Sequence, residues 1–506
     1  MARKADGGLI LKNTMSLYLR MFVSLVVSLY ASRVIVGYLG VSDHGLYNVV
    51  AGAVTLLAFV NSSMAVSVQR FLSFEMGSEH GSQDSLDRIY STSVLIHFLI
   101  AVAIFLVIEA LGWHFINTDQ IPPDRMSSAR ILFHLSALSC CIGFMQVPNT
   151  ALVIASEKME AYAYISIMEA FLKLGILFLL PVLPFDRLVS YGGLLLGVTI
   201  VITLSYAAYT HFKIKGVRFK AVWDGGIFRR LLTFALWSML GEASWAAVGQ
   251  GVTLVINWFF PLPVNSARAF AQQVNVALKN FVQNFQTAMN PQIIKLYAAD
   301  ERGEMFRLTF KGTKLSYYLM LIISLPFLFN MEYVLGIWLP VVPPYTAVFA
   351  RLAIIGSLVD IISNLLATVA KATGKIRRYQ TVVSIALFMN LPLSWAVLRC
   401  GAPVWTVYLV YIAVSLSLIF IRIHLVDSLV RVDRKRFLRD VVLPVVKVTA
   451  ASAIIPLLCW RALEGGLWNF VLTSLLSVLS VAACVFFIGT DEEEKLFIFS
   501  KLHIRR

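Results

Sequence analysis

The chain has 506 residues, of which 58% are hydrophobic and 14% charged, and it carries a formal net charge of +15. Soluble domains carry roughly 25% charged residues, so a composition this apolar excludes a soluble protein, and lipid must solvate much of the surface. The positive charge is dispersed among short connections and not gathered on one soluble face, which argues against a nucleic-acid partner and is explained by anionic lipid head groups.

A helix needs about 20 residues to span roughly 30 Å of hydrocarbon. The first predicted helix covers 11–38. It follows a basic start but carries Arg20 and Arg33 and lacks a small-residue cleavage site, so it reads as a membrane helix and not a signal peptide. Five more are predicted at 46–68, 89–112, 129–155, 161–183 and 188–212, the last two joined by a turn at Pro181, Pro184, Asp186 and Arg187. Six follow at 231–259, 266–290, 308–330, 345–371, 380–399 and 403–424, and two close the series at 441–460 and 467–489. The runs are too long and too continuously apolar for a β-barrel. The expected fold is therefore an all-α polytopic membrane protein of about fourteen helices.

Charge orientation tests that count, because Lys and Arg accumulate in cytoplasmic connections. With the amino terminus inside, the inner connections receive the basic clusters of 213–230, 295–314, 371–378 and 422–439 and the tail residues Lys495, Lys501, Arg505 and Arg506. The outer side receives only Arg125, Arg130, Arg187, Arg268, Arg399 and Arg461. One missing or spurious helix would reverse everything downstream, so the pattern favours an even number with both termini cytoplasmic. An internal echo agrees: Ala155-Ser-Glu-Lys158-Met-Glu-Ala-Tyr162 recurs six helices later as Ala372-Thr-Gly-Lys375-Ile-Arg-Arg-Tyr379. A shift of six preserves orientation and predicts two pseudo-symmetric six-helix bundles, 1–215 and 216–439, followed by two extra helices in 440–506.

The eighth helix is the most informative for function. At 100° per residue from Gln272, the side chains of Arg268, Asn275, Lys279, Gln283, Gln286 and Asn290 fall between about −60° and +20°, and Gln273, Asn280 and Asn284 widen the sector to about +120°. Half of this helix cannot face lipid. Its many amides, with Arg268 and Lys279, look like the wall of a hydrated cavity suited to a polyhydroxylated substrate. A surface-lying amphipathic helix or an interhelical seam would leave similar patterns.

Other ionisable groups at membrane depth are candidates for the same cavity. Arg20 lies well inside the first helix, placed to attract a pyrophosphate, whereas Arg33 is near the outer end. Glu169 and Lys173 have the favourable i,i+4 order of a neutralising pair. Glu242 is a candidate protonation site, with Gln250 and Asn257 on the same helix; Arg351, Asp360 and Asn364 are candidates on the tenth. No Walker A sequence, HExxH, GxSxG or four-cysteine site is found. The five cysteines sit in apolar runs as small hydrophobes. No catalytic residue, metal or cofactor is therefore expected, and transport would draw on an ion gradient, the membrane potential or the substrate's own gradient.

The arrangement resembles the bacterial polysaccharide and O-antigen flippases, in the superfamily that also holds multidrug and toxic-compound exporters and peptidoglycan-precursor flippases. The features that carry this are Lys12-Asn13-Thr14, Tyr38-Leu-Gly40-Val-Ser-Asp-His-Gly45-Leu-Tyr47, Ala288-Met-Asn-Pro291-Gln-Ile-Ile-Lys295 and Ala372-Thr-Gly374-Lys375. The resemblance implies two six-helix lobes, alternating access and a bacterial inner-membrane location. It implies passage of an undecaprenyl-pyrophosphate-linked oligosaccharide to the periplasmic leaflet during surface polysaccharide (O-antigen, lipopolysaccharide) biosynthesis. A polysaccharide polymerase and glycosyltransferases are then the expected partners. By position it points to Arg20, Arg33, Arg268 and Lys279 as basic cleft residues, with Gln272, Asn275, Asn280, Gln283 and Asn284 on the glycan. A cation-coupled multidrug exporter and a non-transporting cell-envelope assembly protein are the alternatives.

Overall fold

Gly40 sets the division of the first helices. In the computed structural model, which describes residues 6–55, 58–116, 123–339, 341–463 and 466–491, helix α1 runs Gly7–Thr55 but is broken at Gly40, with φ 77° and ψ 168°. No neighbour would touch a Cβ there, so the glycine is required by backbone conformation and not by packing. After the break α1 runs on to Thr55, and α2 covers Ala58–Gly77. The expected span 46–68 thus falls across the end of α1 and the first half of α2, and α2 runs nine residues beyond its end.

The remaining helices are α3 (Gln83–Ile116), α4 (Met126–Ala155), α5 (Met159–Leu179), α6 (Arg187–Lys213), α7 (Gly225–Phe259), α8 (Leu262–Ala298), α9 (Arg302–Trp338) and α10 (Thr346–Thr373). They are followed by α11 (Arg377–Phe388), α12 (Asn390–Arg399), α13 (Thr406–Val430), α14 (Arg434–Phe437), α15 (Leu443–Ala462) and α16 (Leu467–Cys484). Twelve helical stretches among the described residues are long and apolar enough to cross a membrane. The stretch after Gly40 and α8 are the two expected spans outside that set; α8 is long but too polar. Exposed side chains such as Phe22, Leu106, Leu204 and Leu458 form the kind of apolar surface that lipid solvates.

Prolines account for departures from the expected spans. The predicted helix 380–399 is two, α11 and α12, meeting at Met389, because Pro392 has no N–H to offer the carbonyl of Phe388. In α9 the backbone leaves helical geometry at Asn330, whose side-chain amide donates to the carbonyl of Pro326 at 3.3 Å. Before α15, residues Leu438–Val442 widen into a π-turn that leads into Pro444.

The internal echo has a backbone basis. Glu157 (φ 59°) and Gly374 (φ 75°) occupy the same place in the two echoed segments, each turning the chain through the left-handed region between one helix and the next. The matching Ala, Lys and Tyr residues therefore mark a repeated helix–turn–helix.

The chain forms two compact units, one of 1–242 with 294–300 and another of 243–293 with 301–506. Compactness divides it differently from the expected 1–215, 216–439 and 440–506: the change falls inside α7, and the last helices belong to the second unit. In the first unit α4 packs against α2, α3 and α6, and α1 lies along α5, around a core that includes Leu72, Ile96, Leu152 and Tyr206. In the second, α10 lies against α9 and α13, while α15 and α16 pack on each other and on α9. The tail from 492, with its four basic residues, lies outside the described residues.

Candidate functional site

The polar side of α8 meets α10 through two matched pairs. Ser357 donates to the side-chain oxygen of Asn275 at 2.8 Å, and Thr368 donates to that of Asn290 at 2.8 Å. These bonds fix the rotation of α8, satisfying buried amides that lipid could not. Between them lies Lys279, half-buried, with Nζ 3.9 Å from a carboxylate oxygen of Asp360 and 5.6 Å from the ring centroid of Trp245. Asp360 is only 3% exposed and accepts a hydrogen bond from the Tyr411 hydroxyl. Tyr411 can reach it because α10 has glycine at 356, where a Cβ would lie 2.6 Å from the tyrosine ring.

About three helical turns from Lys279 toward the start of α8, the Arg268 guanidinium donates to the carbonyl of Gly249 at 2.8 Å and to the Thr253 hydroxyl at 3.2 Å. It also lies over the Tyr408 ring, 6.0 Å from the centroid. These side chains surround a cavity of about 160 Å³ within the second unit. Its wall comprises Arg268, Gln272, Asn275 and Lys279 of α8, Trp245, Val248, Gly249 and Val252 of α7, Ala353 of α10, Asn390 of α12, and Val407, Tyr408 and Tyr411 of α13. The described wall carries two cations and no carboxylate; Asp360 stands behind it.

A third cation, more deeply buried than the two half-buried ones, extends the polar column. Arg422, 5% exposed, donates to Ser363 at 3.0 Å and to Asn364 at 3.2 Å. The sequence reading assigns this residue to an inner connection on charge alone. Its setting in the apolar run Ser415-Leu-Ser-Leu-Ile-Phe-Ile-Arg422-Ile-His-Leu was the signal that it belongs inside α13. The tyrosines Tyr408 and Tyr411 and the indole of Trp245 carried no such signal, since aromatic residues in membrane helices most often serve packing.

The other sequence-predicted residues lie elsewhere. Asn280 and Gln283 are exposed and outside the cavity wall, and Asn284 is buried. Arg20 belongs to the first unit, where it donates to the Tyr162 hydroxyl at 3.2 Å and lies 4.8 Å from that ring's centroid. The side chain of Arg33 lies outside the described residues. Glu169 and Lys173 pair with each other at 2.6 Å on α5. Glu242 is half-buried at the end of the first unit's α7 segment. Arg351 pairs with Glu332 at 2.6 Å, which neutralises it away from the cavity.

No protein-family model and no curated protein matches the chain. Solved structures do. A MATE protein in complex with MaD3S aligns at 10% identity over 84% of this chain and 97% of its own, with a TM-score of 0.71. An outward-facing multidrug resistance MATE family transporter of the MOP superfamily aligns at 11% identity over 83% and 96%, with a TM-score of 0.70. A MOP superfamily transporter from Pyrococcus furiosus, described as having a binding pocket of reverse polarity that suggests a different function, aligns at 11% identity over 84% and 99%, with a TM-score of 0.69. At these identities the likeness is one of fold: an all-α polytopic membrane protein built like the MATE bundle of six and six helices, with further helices at its carboxyl end.

Proposed function

We propose that the chain is an alternating-access transporter whose cargo presents an anionic group to the second unit, and that this cargo is an undecaprenyl-pyrophosphate-linked oligosaccharide moved from the cytoplasmic to the periplasmic leaflet of a bacterial inner membrane. The observation that carries the reading is the cavity wall of Arg268 and Lys279 with no carboxylate among its described residues. Burying two cations at membrane depth is costly unless something compensates them, and Asp360 faces only one of the pair. A lipid pyrophosphate supplies the missing negative charge, and Gln272 and Asn275 beside it match the hydroxyls of a sugar.

The fold supports a second reading, cation-coupled export of organic compounds, since one of the solved structures that share it is described as a multidrug resistance transporter. An organic cation would meet two like charges at this wall, and that is why the glycolipid is preferred. Reconstitution into proteoliposomes separates the two. The expected result is translocation of lipid-linked oligosaccharide diphosphate, reduced roughly tenfold or more in Lys279→Gln and in Arg268→Gln. Export of organic cations with no movement of the glycolipid would overturn the proposal.

A further inference from the structure

Helix α5 of the first unit has two open faces of opposite chemistry. At 100° per residue from Tyr162, the side chains of Ser166, Glu169 and Lys173 fall between about −20° and +40°, whereas Tyr164, Phe171 and Phe178 fall between about 160° and 200°. The apolar face, with Tyr164 65% and Phe171 54% exposed, is the one that lipid solvates. The polar face is open too: the side chains of Glu169 and Lys173 are 34% and 50% exposed, and they pair at 2.6 Å. Glu169 stands at the midpoint of α5, about 15 Å from either end of a helix long and apolar enough to cross a membrane. Lys173 does not snorkel toward the nearer end, since its ammonium is drawn back to Glu169 and so toward the middle of the helix.

Hydrocarbon solvates an open ion pair poorly at that depth, and the opposite face already takes the lipid, so the Glu169 side of α5 faces water. The rotation of the helix is fixed within the first unit. Arg20 of α1 donates to the Tyr162 hydroxyl at 3.2 Å, and the buried Tyr206 of α6 donates to the Tyr162 carbonyl at 3.4 Å. Unlike those contacts, an i,i+4 pair within one helix ties no two elements together, so cohesion does not account for it. Glu169 offers acceptors, Lys173 donors and Ser166 both, with charges that cancel. A free anion would meet Glu169 and a free cation Lys173, whereas a neutral polyhydroxylated group can bond to all three. We propose that this face of the first unit binds the saccharide of the cargo, an inference that rests on the glycolipid reading above and adds a sugar site to it.

The test is binding of two probes to the full-length protein in lipid nanodiscs: undecaprenyl pyrophosphate bearing a neutral tetrasaccharide, and undecaprenyl pyrophosphate without sugar. The wild type is expected to bind the glycosylated probe at least about fivefold more tightly. Glu169→Ala combined with Lys173→Ala removes both charges together and is expected to erase that preference, weakening the glycosylated probe and not the bare lipid. Lys279→Gln is expected to weaken both probes alike. A preference that survives the α5 double variant, a loss shared by both probes, or equal binding of the two to the wild type would overturn the sugar site alone. Failure of both probes to bind the wild type would sink the glycolipid reading and the sugar site with it. Cysteine labelling checks the wet face without cargo: with the five native cysteines replaced by alanine, a charged maleimide is expected to modify Ser166→Cys and to spare Phe171→Cys. Equal labelling at the two positions would likewise overturn the proposal.

Discussion

The two units handle buried charge differently. In the first, Lys295 meets Glu157 at 2.5 Å with both side chains 9% exposed, and Arg125 lies between Asp43 and Asp186 at 2.6 Å from each. Arg20 lies over Tyr162, and Arg70 is set among the rings of Phe71, Phe74 and Phe234. Each of these cations has a carboxylate or aromatic faces from its own unit. In the second, Arg268 and Lys279 of α8 and Arg422 of α13 take mainly neutral partners, Gly249 and Thr253 for Arg268 and Ser363 and Asn364 for Arg422, and Lys279 lies 3.9 Å from Asp360. The same helical architecture thus serves cohesion in the first unit, and on the proposed function it presents positive charge to the cargo in the second.

That contrast is sharpest where the chemistry is most alike, in the two lysine–carboxylate pairs. Glu157→Gln removes the carboxylate 2.5 Å from a lysine that is only 9% exposed, and is expected to cost about 3 kcal/mol of stability, read as a lowered unfolding temperature in detergent. Asp360→Asn is expected to cost less, about 1–2 kcal/mol, because Lys279 is 22% exposed to the cavity and 3.9 Å from its partner, and the amide still accepts from Tyr411. Its larger effect falls on binding. With the acid gone, the cavity gains net positive charge, so inorganic pyrophosphate is expected to bind more tightly, by calorimetry, than to the wild type. Equal stability losses in the two variants, with unchanged anion binding, would erase the distinction between the units.

The division into helices was legible because membrane spans announce themselves by length, and the alternation of basic connections checks their number independently. Turns were legible only in part: Gly40 and Gly374 are glycines where left-handed backbone is cheap, but Glu157 adopts φ 59° with no sequence signal except its place in an echo. On α8 the polar sector identified Arg268, Gln272, Asn275 and Lys279, which do share one cavity, yet it could not separate them from Asn280, Gln283 and Asn284, which lie outside the wall. Periodicity gives the angle of a side chain about its own helix. What that angle faces depends on neighbours such as Ser357 and Tyr411, whose positions are set by the packing of α10 and α13. Arg422 was misassigned for the related reason that charge counting treats every arginine near a helix end as solvent-facing.

The smallest expected effect concerns the cohesive network of the first unit where solvent reaches it. Asp186 caps α6, accepting from the amides of Leu188 and Val189 at 3.1 Å, and binds Arg125. Burial by itself would raise its carboxyl, but the Val189 amide and the Arg125 guanidinium outweigh burial and hold it below the ordinary carboxylate value. Because the folded value is the lower one, its contribution is complete above the ordinary carboxylate range and is lost as pH falls through the depressed value. Asp186 and Arg125 are each about one-third exposed, so screening limits the charge contribution to well under about 1 kcal/mol. Asp186→Asn keeps a good helix cap while removing the charge. Unfolding temperatures of the variant and the wild type are therefore expected to differ slightly at pH 7 and to converge as pH falls below the ordinary carboxylate range and through the depressed value. A gap that stays constant or widens in acid would show that the cap geometry, and not the Arg125 ion pair, is what Asp186 contributes.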